Sequence, residues 1–422
     1  MINLHEITKA SRQAAHTLAV LDRTVKDRTL QTLADLLLEH TPEILSANAV
    51  DIKLAEQAGL TPALIDRLRL SESRLRGMAD DVRKVAALPD PVGVVFDRKV
   101  LPNGLQVHRQ RVPLGVLAVI YESRPNVTVD VSSLALKSGN AVILRGGKET
   151  LHSNRALLKV IHEALEACEI PAGAVQFIDS SDRTLLLELI RMGDDVDMLI
   201  PRGGAGLHRF CRENSRIPVM TGGIGICHLF VDDTADQKAA LQVIHNAKTQ
   251  RPSVCNALDT LLVHHAIAEG FVPALIGHFQ GSGVAFRLDP AALDAFQAQP
   301  VAETEVSLAG PEDFDTEWLS LVLGVRVVAG LEEAIEHIQR HSTGHSDGIL
   351  TQDAAHADRF VQQVDSAAVY VNASTRFTDG SQLGLGAEVA ISTQRLHARG
   401  PMALEELTTY KWVISGDYHV RP

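Results

Sequence analysis

The sequence predicts an α/β protein built around parallel sheets. Three observations carry that expectation. The first ninety residues have helical periodicity, two later blocks alternate short apolar runs with amphipathic stretches, and a turn-bounded pair of strand patterns lies between them. At 422 residues the chain is long enough for two or three domains and a sizeable core.

The elements follow in order. Leu18, Leu21, Val25, Leu30, Leu33 and Leu37 recur at helical spacing. Thr41-Pro42-Glu43 and Thr61-Pro62 read as helix starts with proline at the first position. Segments 93–97 and 105–112 alternate like strands, and Pro102-Asn103-Gly104 between them predicts a hairpin. Strands at 114–121, 141–144, 174–178 and 196–200 alternate with helices at 129–137, 153–167 and 184–192, the signature of βαβ units. A second block has strands at 226–231 and 258–263 and helices at 236–248 and 267–279. The pattern weakens over 281–310, then resumes with a strand at 325–328, a helix at 331–340 and a strand at 369–371. Residues 404–407 read as helical and 410–414 as a strand, and so apolar a tail is expected to dock, with another subunit as a candidate surface.

Composition excludes several classes. Forty Lys and Arg stand against 52 Asp and Glu, for a net charge of −12, which argues against a nucleic-acid backbone as the partner. Hydrophobic residues make up 45%, so disorder is not expected. No apolar run approaches the roughly 18–20 residues that span a bilayer. The first residues show no basic stretch followed by an apolar one, so no secretory signal is expected. Four cysteines with no C-x-x-C pair predict neither disulfides nor a cysteine zinc site, and a reducing, cytoplasmic compartment is the expectation.

The candidate chemistry concentrates in a few loops. Cys168, Cys211 and Cys227 sit in amphipathic or apolar stretches and read as packing residues. Cys255 lies in the polar segment Arg251-Pro252-Ser253-Val254-Cys255-Asn256, where Lys248 and Arg251 would favour the nucleophilic thiolate. Arg145-Gly146-Gly147-Lys148 follows a strand but is no P-loop, because Val142 stands where a glycine is needed and Glu149 follows the lysine. Arg202-Gly203-Gly204-Ala205-Gly206 opens a helix and offers N–H groups to a cofactor phosphate. Thr221-Gly222-Gly223-Ile224-Gly225 permits close backbone approach. Two polar loops follow strands. One carries Arg124, a cation for an anionic ligand, and Asn126, an amide donor; the other carries Arg376. His337, His341 and His345 are spaced by four, but Ser342-Thr343-Gly344 breaks the helix, so no metal is expected there. They read as hydrogen-bonded structural or substrate-facing histidines. His264-His265 should point to opposite faces of a strand end.

Several segments together resemble one family. Pro113-Leu114-Gly115-Val116, Tyr121-Glu122-Ser123-Arg124-Pro125-Asn126, Lys137-Ser138-Gly139-Asn140, Arg145-Gly146-Gly147-Lys148-Glu149 and the Cys255 segment are similar to the gamma-glutamyl phosphate reductase family, within the aldehyde dehydrogenase superfamily. So is the long signature from Val328 through Ala334-Ile335-Glu336-His337-Ile338 to His345-Ser346-Asp347-Gly348-Ile349. The resemblance implies an aldehyde dehydrogenase-like α/β fold. It divides into an NADP-binding domain of residues 1–96 and 113–225 and a catalytic domain of 226–375. An oligomerisation hairpin and C-terminal segment would comprise 97–112 and 376–422. The implied reaction is NADPH-dependent reduction of L-glutamate 5-phosphate to L-glutamate 5-semialdehyde, the second step of proline biosynthesis. By the same resemblance Cys255 is the nucleophile, and Asn126 with the Cys255 backbone N–H forms an oxyanion hole. Arg145, Lys148, Gly203, Gly204 and Glu317 hold NADPH or NADP, with Lys148 suited to the 2′-phosphate and Glu317 to the nicotinamide ribose. Arg124, Asn126 and Arg376 take the glutamyl phosphate. Met220 stands where hydrolytic relatives carry a glutamate base, so a thioester would persist for reduction. A homo-oligomer is implied, and docking of the upstream glutamate 5-kinase is conceivable chemistry for a labile acyl phosphate. A CoA-acylating aldehyde dehydrogenase, which also lacks that base, is the alternative enzyme, and a non-catalytic binding protein on the same fold is the alternative class.

Overall fold

Five helices open the chain, and their caps explain where most of them start. In the computed structural model, which describes residues 2–222, 224–300 and 304–421, these are α1 (Leu4–Leu18), α2 (Arg23–Glu39), α3 (Thr41–Gln57), α4 (Pro62–Leu68) and α5 (Glu72–Ala87). The side chains of Asn3, Asp22, Thr61 and Ser71 each accept a first-turn N–H, while α3 relies on Pro42 in its first turn. Gly223 of the glycine cluster lies outside the described residues.

The chain divides into two compact units. The first comprises residues 1–221, 384–390 and 402–422. After the opening helices it contains β1 (Val95–Val100), β2 (Gln106–Pro113), β3 (Val116–Tyr121), α6 (Asn126–Lys137), β4 (Ala141–Arg145), α7 (Leu151–Ala167), β5 (Val175–Phe177), α8 (Arg183–Leu189), β6 (Met198–Arg202) and α9 (Ala205–Asn214). Strands β5-β4-β3-β6 form a parallel sheet in that order. The chain leaves β3 towards β4 and β5, then returns to β6 on the other flank, so the connections reverse direction between β3 and β6.

The second unit comprises residues 222–383 and 391–401. It contains β7 (Cys227–Val231), α10 (Gln237–Thr249), β8 (Leu258–His264), α11 (His265–His278), β9 (Ala285–Leu288), α12 (Pro290–Ala298), β10 (Val306–Leu308), β11 (Val322–Val328), α13 (Leu331–His341), β12 (Ser346–Leu350), α14 (Ala354–Gln363) and β13 (Ala368–Val371). The seven strands are parallel in the order β10-β9-β11-β8-β7-β12-β13. Leu229, Leu261, Phe271, Phe286 and Val325 lie in a buried apolar cluster of this unit.

Two short strands, β14 (Ala390–Ser392) and β15 (Gly400–Met402), precede β16 (Thr408–Ser415). The predicted hairpin forms from β1 and β2, and β16 adds antiparallel to β2. Arg109 of β2 holds its guanidinium 4.7 Å from the ring centroids of both Tyr410 and Trp412.

Three expectations fail here. Residues 404–407 are a turn rather than a helix; the Ala403 N–H bonds Glu406 at 2.9 Å and the Thr408 N–H bonds the Glu405 carbonyl at 3.0 Å. The weak region 281–310 contains β9, α12 and β10. Helix α6 begins at Asn126 rather than Val129, so the polar segment after β3 is shorter than expected.

Candidate active site

Cys255 sits in the loop between α10 and β8, at the amino edge of the second unit's sheet. It is half-buried, whereas Cys168, Cys211 and Cys227 are buried. Burial raises the Cys211 thiol to about 11 and lifts that of Cys227 well above its ordinary value, so neither is ionised near neutral pH. Cys227 does more than pack, since its thiol donates to the Cys255 carbonyl at 3.2 Å.

The backbone at Cys255 is held from three sides. A side chain at Gly225 would drive its Cβ into the Cys255 carbonyl, so only glycine allows that approach. The Gly225 N–H in turn donates to Glu317 at 2.9 Å. Burial raises the Glu317 carboxyl above its usual range, and this N–H opposes the rise. Segment 374–378 closes the third side: Thr375 donates to the Asn256 carbonyl at 2.7 Å, and the Asn256 amide donates to the Thr378 carbonyl at 2.9 Å. Arg376, anchored on Gln250 at 2.9 Å, is thereby brought to the Cys255 loop. Burial lowers its pKa first, neighbouring Arg251 lowers it further, and Cys255 opposes both. Cys255, Arg251, Arg376 and Glu317 therefore gather in one unit.

Lys248 does not act as expected. It is buried, donates to the Leu258 carbonyl at 2.7 Å and lies 3.6 Å from Asp259, so its charge faces a carboxylate rather than the thiol. Burial pushes Asp259 up to about 7 despite Lys248, and burial lowers Lys248 despite Asp259.

The remaining expected residues lie at the carboxyl edge of the first unit's sheet. Glu149, after β4, accepts from the Ser123 N–H at 2.7 Å and hydroxyl at 2.9 Å, which holds Ser123 at a positive φ of 52° after β3. Arg124 follows in the same turn. The Asn126 amide donates to Asp130 at 2.7 Å, one helical turn on, so one of its two hydrogens is committed. Burial pushes Asp130 up to about 6 against that hydrogen bond. Lys148 is exposed. Arg145 is half-buried, donates to the Ser181 carbonyl at 3.3 Å and leaves its buried Nε without a partner. The Gly204 N–H, expected to face a phosphate, donates instead to Glu122 at 3.1 Å, and a Cβ at Gly203 would strike that carboxylate.

Two family motifs are framework. Lys137 is fully buried, bonding Asp27 and the Ala86 carbonyl, and Asn140 joins the Gly115 N–H to the Leu407 carbonyl at 2.8 Å each. In the histidine signature, buried Asp347 accepts from the His228 N–H at 2.9 Å, His228 Nδ1 at 3.0 Å, Ser342 at 2.6 Å and Ser366. Thr343 accepts the Ile226 N–H at 3.0 Å. Against expectation, His337 has neither ring nitrogen hydrogen-bonded; burial and the nearby His228 pull it down to about 2.

His264 and His265 stack, with centroids 4.7 Å apart, because the strand ends between them and the chain turns into α11. His264 also stands with Asp232 and Asp233, their candidate ligand atoms within 4.8 Å of one another. Its Nδ1 accepts the Ala266 N–H at 3.1 Å, so that nitrogen is not free to bind an ion. Among the described residues, no helix is long and apolar enough to cross a membrane.

Fold and site together define a class. A model of the aldehyde dehydrogenase family matches residues 3–293, and the chain belongs to that family of oxidoreductases. Within it, the chain is 57% identical over 418 residues to a gamma-glutamyl phosphate reductase of Cronobacter sakazakii, covering 99% of this chain and all of that one. A solved gamma-glutamyl phosphate reductase from Thermotoga maritima is 47% identical, superimposes with a TM-score of 0.95 and is covered fully in both directions. An acetylating aldehyde dehydrogenase from Geobacillus thermoglucosidasius, 18% identical with a TM-score of 0.71 over 99% of this chain and 97% of that one, shares the fold.

Proposed function

We propose that the protein reduces L-glutamate 5-phosphate to L-glutamate 5-semialdehyde with release of phosphate, in the second step of proline biosynthesis. The carrying observation is full-length similarity, at 57% identity, to proteins named for glutamyl phosphate reduction. The Cys255 loop supports it, with a half-buried thiol near Arg376, itself neighboured by Arg251.

Cys255 attacks the acyl phosphate carbonyl, its sulfur–carbon bond replaces the acyl carbon–oxygen bond of the mixed anhydride, and inorganic phosphate leaves. Arg376, a planar fork next to the thiol, takes the phosphate or carboxylate, and Arg124 holds the other anionic end of the substrate. Asn126, with one amide hydrogen on Asp130, gives the second to the oxyanion, and the Cys255 N–H complements it. NADPH, when bound, supplies the hydride that takes the thioester to the aldehyde level. The chain's residues fit such a cofactor at its phosphate end: exposed Lys148 and the unpartnered Arg145 Nε offer positive charge after β4. Glu317 takes the nicotinamide ribose. Gly203 and Gly204 shape the turn before α9, but Glu122 occupies the N–H that a phosphate would need. Met220, buried, offers no base to activate water, so the thioester survives until reduction.

A cytoplasmic location, a homo-oligomer joined through the β1–β2–β16 sheet, and delivery of substrate by a kinase belong to the same reading. Light scattering on the chain without residues 408–415 tests the assembly. The reaction itself is tested in reverse, with glutamate semialdehyde, phosphate and NADP. Phosphate-dependent NADPH formation is expected, falling about a thousandfold or more in Cys255→Ala. Turnover with CoA in place of phosphate, or an unimpaired Cys255→Ala, rejects the reading.

A further inference from the structure

Behind the Cys255 loop, a chain of contacts closes on itself within the second unit. Cys255 abuts Gly225, whose N–H is held by Glu317 at 2.9 Å. The next residue, Trp318, donates its N–H to Asp259 at 3.2 Å. Asp259 follows Leu258 in β8, four residues after Cys255, and so returns to the starting loop. Lys248 fastens the far side of this ring: its ammonium donates to the Leu258 carbonyl at 2.7 Å and lies 3.6 Å from Asp259. Both side chains of the pair are buried, at 0% and 3% exposure. Such a pair rarely adds stability over an apolar replacement, because desolvation consumes most of the attraction. Its value lies in what the carboxylate holds. Segment 316–319 is irregular between short elements, and Leu319 takes a positive φ of 49°. The Asp259 bond to Trp318 fixes that segment beside Glu317.

We propose that Asp259, braced by Lys248, is a positioning residue that sets the Glu317 carboxylate against the nucleophile loop. The proposal rests on the reading above, in which Cys255 is the nucleophile and Glu317 meets the cofactor ribose. Neither Asp259 nor Lys248 touches substrate; they act through Trp318 and Gly225. A one-ångström error in a group that orients a cofactor weakens binding or turnover by an order of magnitude or more.

The test compares two double variants of equal charge. Lys248→Met with Asp259→Asn removes both charges but keeps an oxygen to accept the Trp318 N–H. Lys248→Met with Asp259→Leu removes the charges and the acceptor. Replacing a buried pair with apolar side chains of similar size is usually tolerated, and Asp259→Ala in the same background guards against a packing effect of leucine. Thermal unfolding establishes that each variant is folded, and alkylation of Cys255 counts active sites. The asparagine double is expected to keep the KM for NADPH within about threefold of the starting enzyme, while both acceptor-less doubles raise it about tenfold with kcat per active site within about threefold. Equal KM values across the three doubles overturn the proposal, as does a fall in kcat alone. An inactive starting enzyme instead rejects the underlying reading, which keeps the two failures distinct.

Discussion

Cys255 was legible because its loop breaks the apolar pattern on both sides. A cysteine among Arg, Ser and Asn is a poor core residue, and the structure leaves it half-buried while three others are packed away. Lys248 was misread for the same reason that it looked useful: sequence proximity to Cys255 says nothing about Asp259, which meets it only when β8 forms beside α10. His337 was misread as hydrogen-bonded because a polar residue implies a partner, yet both its nitrogens lack one. Lys148 carries a prediction of its own. It is exposed at the end of β4, next to Arg145, and its replacement costs no packing. Lys148→Glu is expected to lower the NADPH-over-NADH preference in kcat/KM about tenfold or more, since a carboxylate repels the 2′-phosphate and accepts from the free 2′-hydroxyl. An unchanged preference would remove Lys148 from the cofactor site.

At the level of elements, strands announced by apolar runs were found and those without them were not. Strand β12 begins Ser346-Asp347-Gly348, which reads as a loop. It is buried throughout because Asp347 spends its lone pairs on His228, Ser342 and Ser366, a tertiary arrangement invisible in one dimension. Strand β9 has four residues and α12 nine, too short for either period to stand out. The Asp347 junction also makes the signature's role testable. It fixes the start of β7, and Gly225 just before it abuts Cys255. Asp347→Asn replaces one acceptor oxygen with a donor facing two hydroxyls. The expected loss is about 2–4 kcal/mol in folding stability by denaturant titration. Stability equal to the parent would mean that the network is not formed.

Across the whole molecule, acid sensitivity follows from histidines held neutral. Burial lowers His208 and His345 to about 4 and His337 to about 2. For a base whose folded pKa is depressed, stability is complete above the unfolded value near 6.5. Below it the unfolded chain takes up a proton that the folded chain refuses. At pH 5 each such group costs about 2 kcal/mol. The transition temperature is therefore expected to fall between pH 6.5 and 5. His337→Leu should flatten that decline without a comparable loss at pH 7.5, since the imidazole makes no hydrogen bond to lose. A variant with the parent's slope would show that His337 is not among the groups responsible.

The residues proposed for the site lie at opposite edges of the two sheets. In the first unit the loops proposed to hold ligands leave the carboxyl ends of β3, β4 and β6, whereas in the second Cys255 precedes β8 at its amino end. Seven residues of β8 separate Cys255's edge from His264, a span of about 20 Å. After β7 and β12, at the carboxyl edge of the second sheet, Asp233 and Gln352 are exposed. An affinity handle, a dye or a tether to a second enzyme can be grafted there, at a distance that insulates the thiol from the attachment.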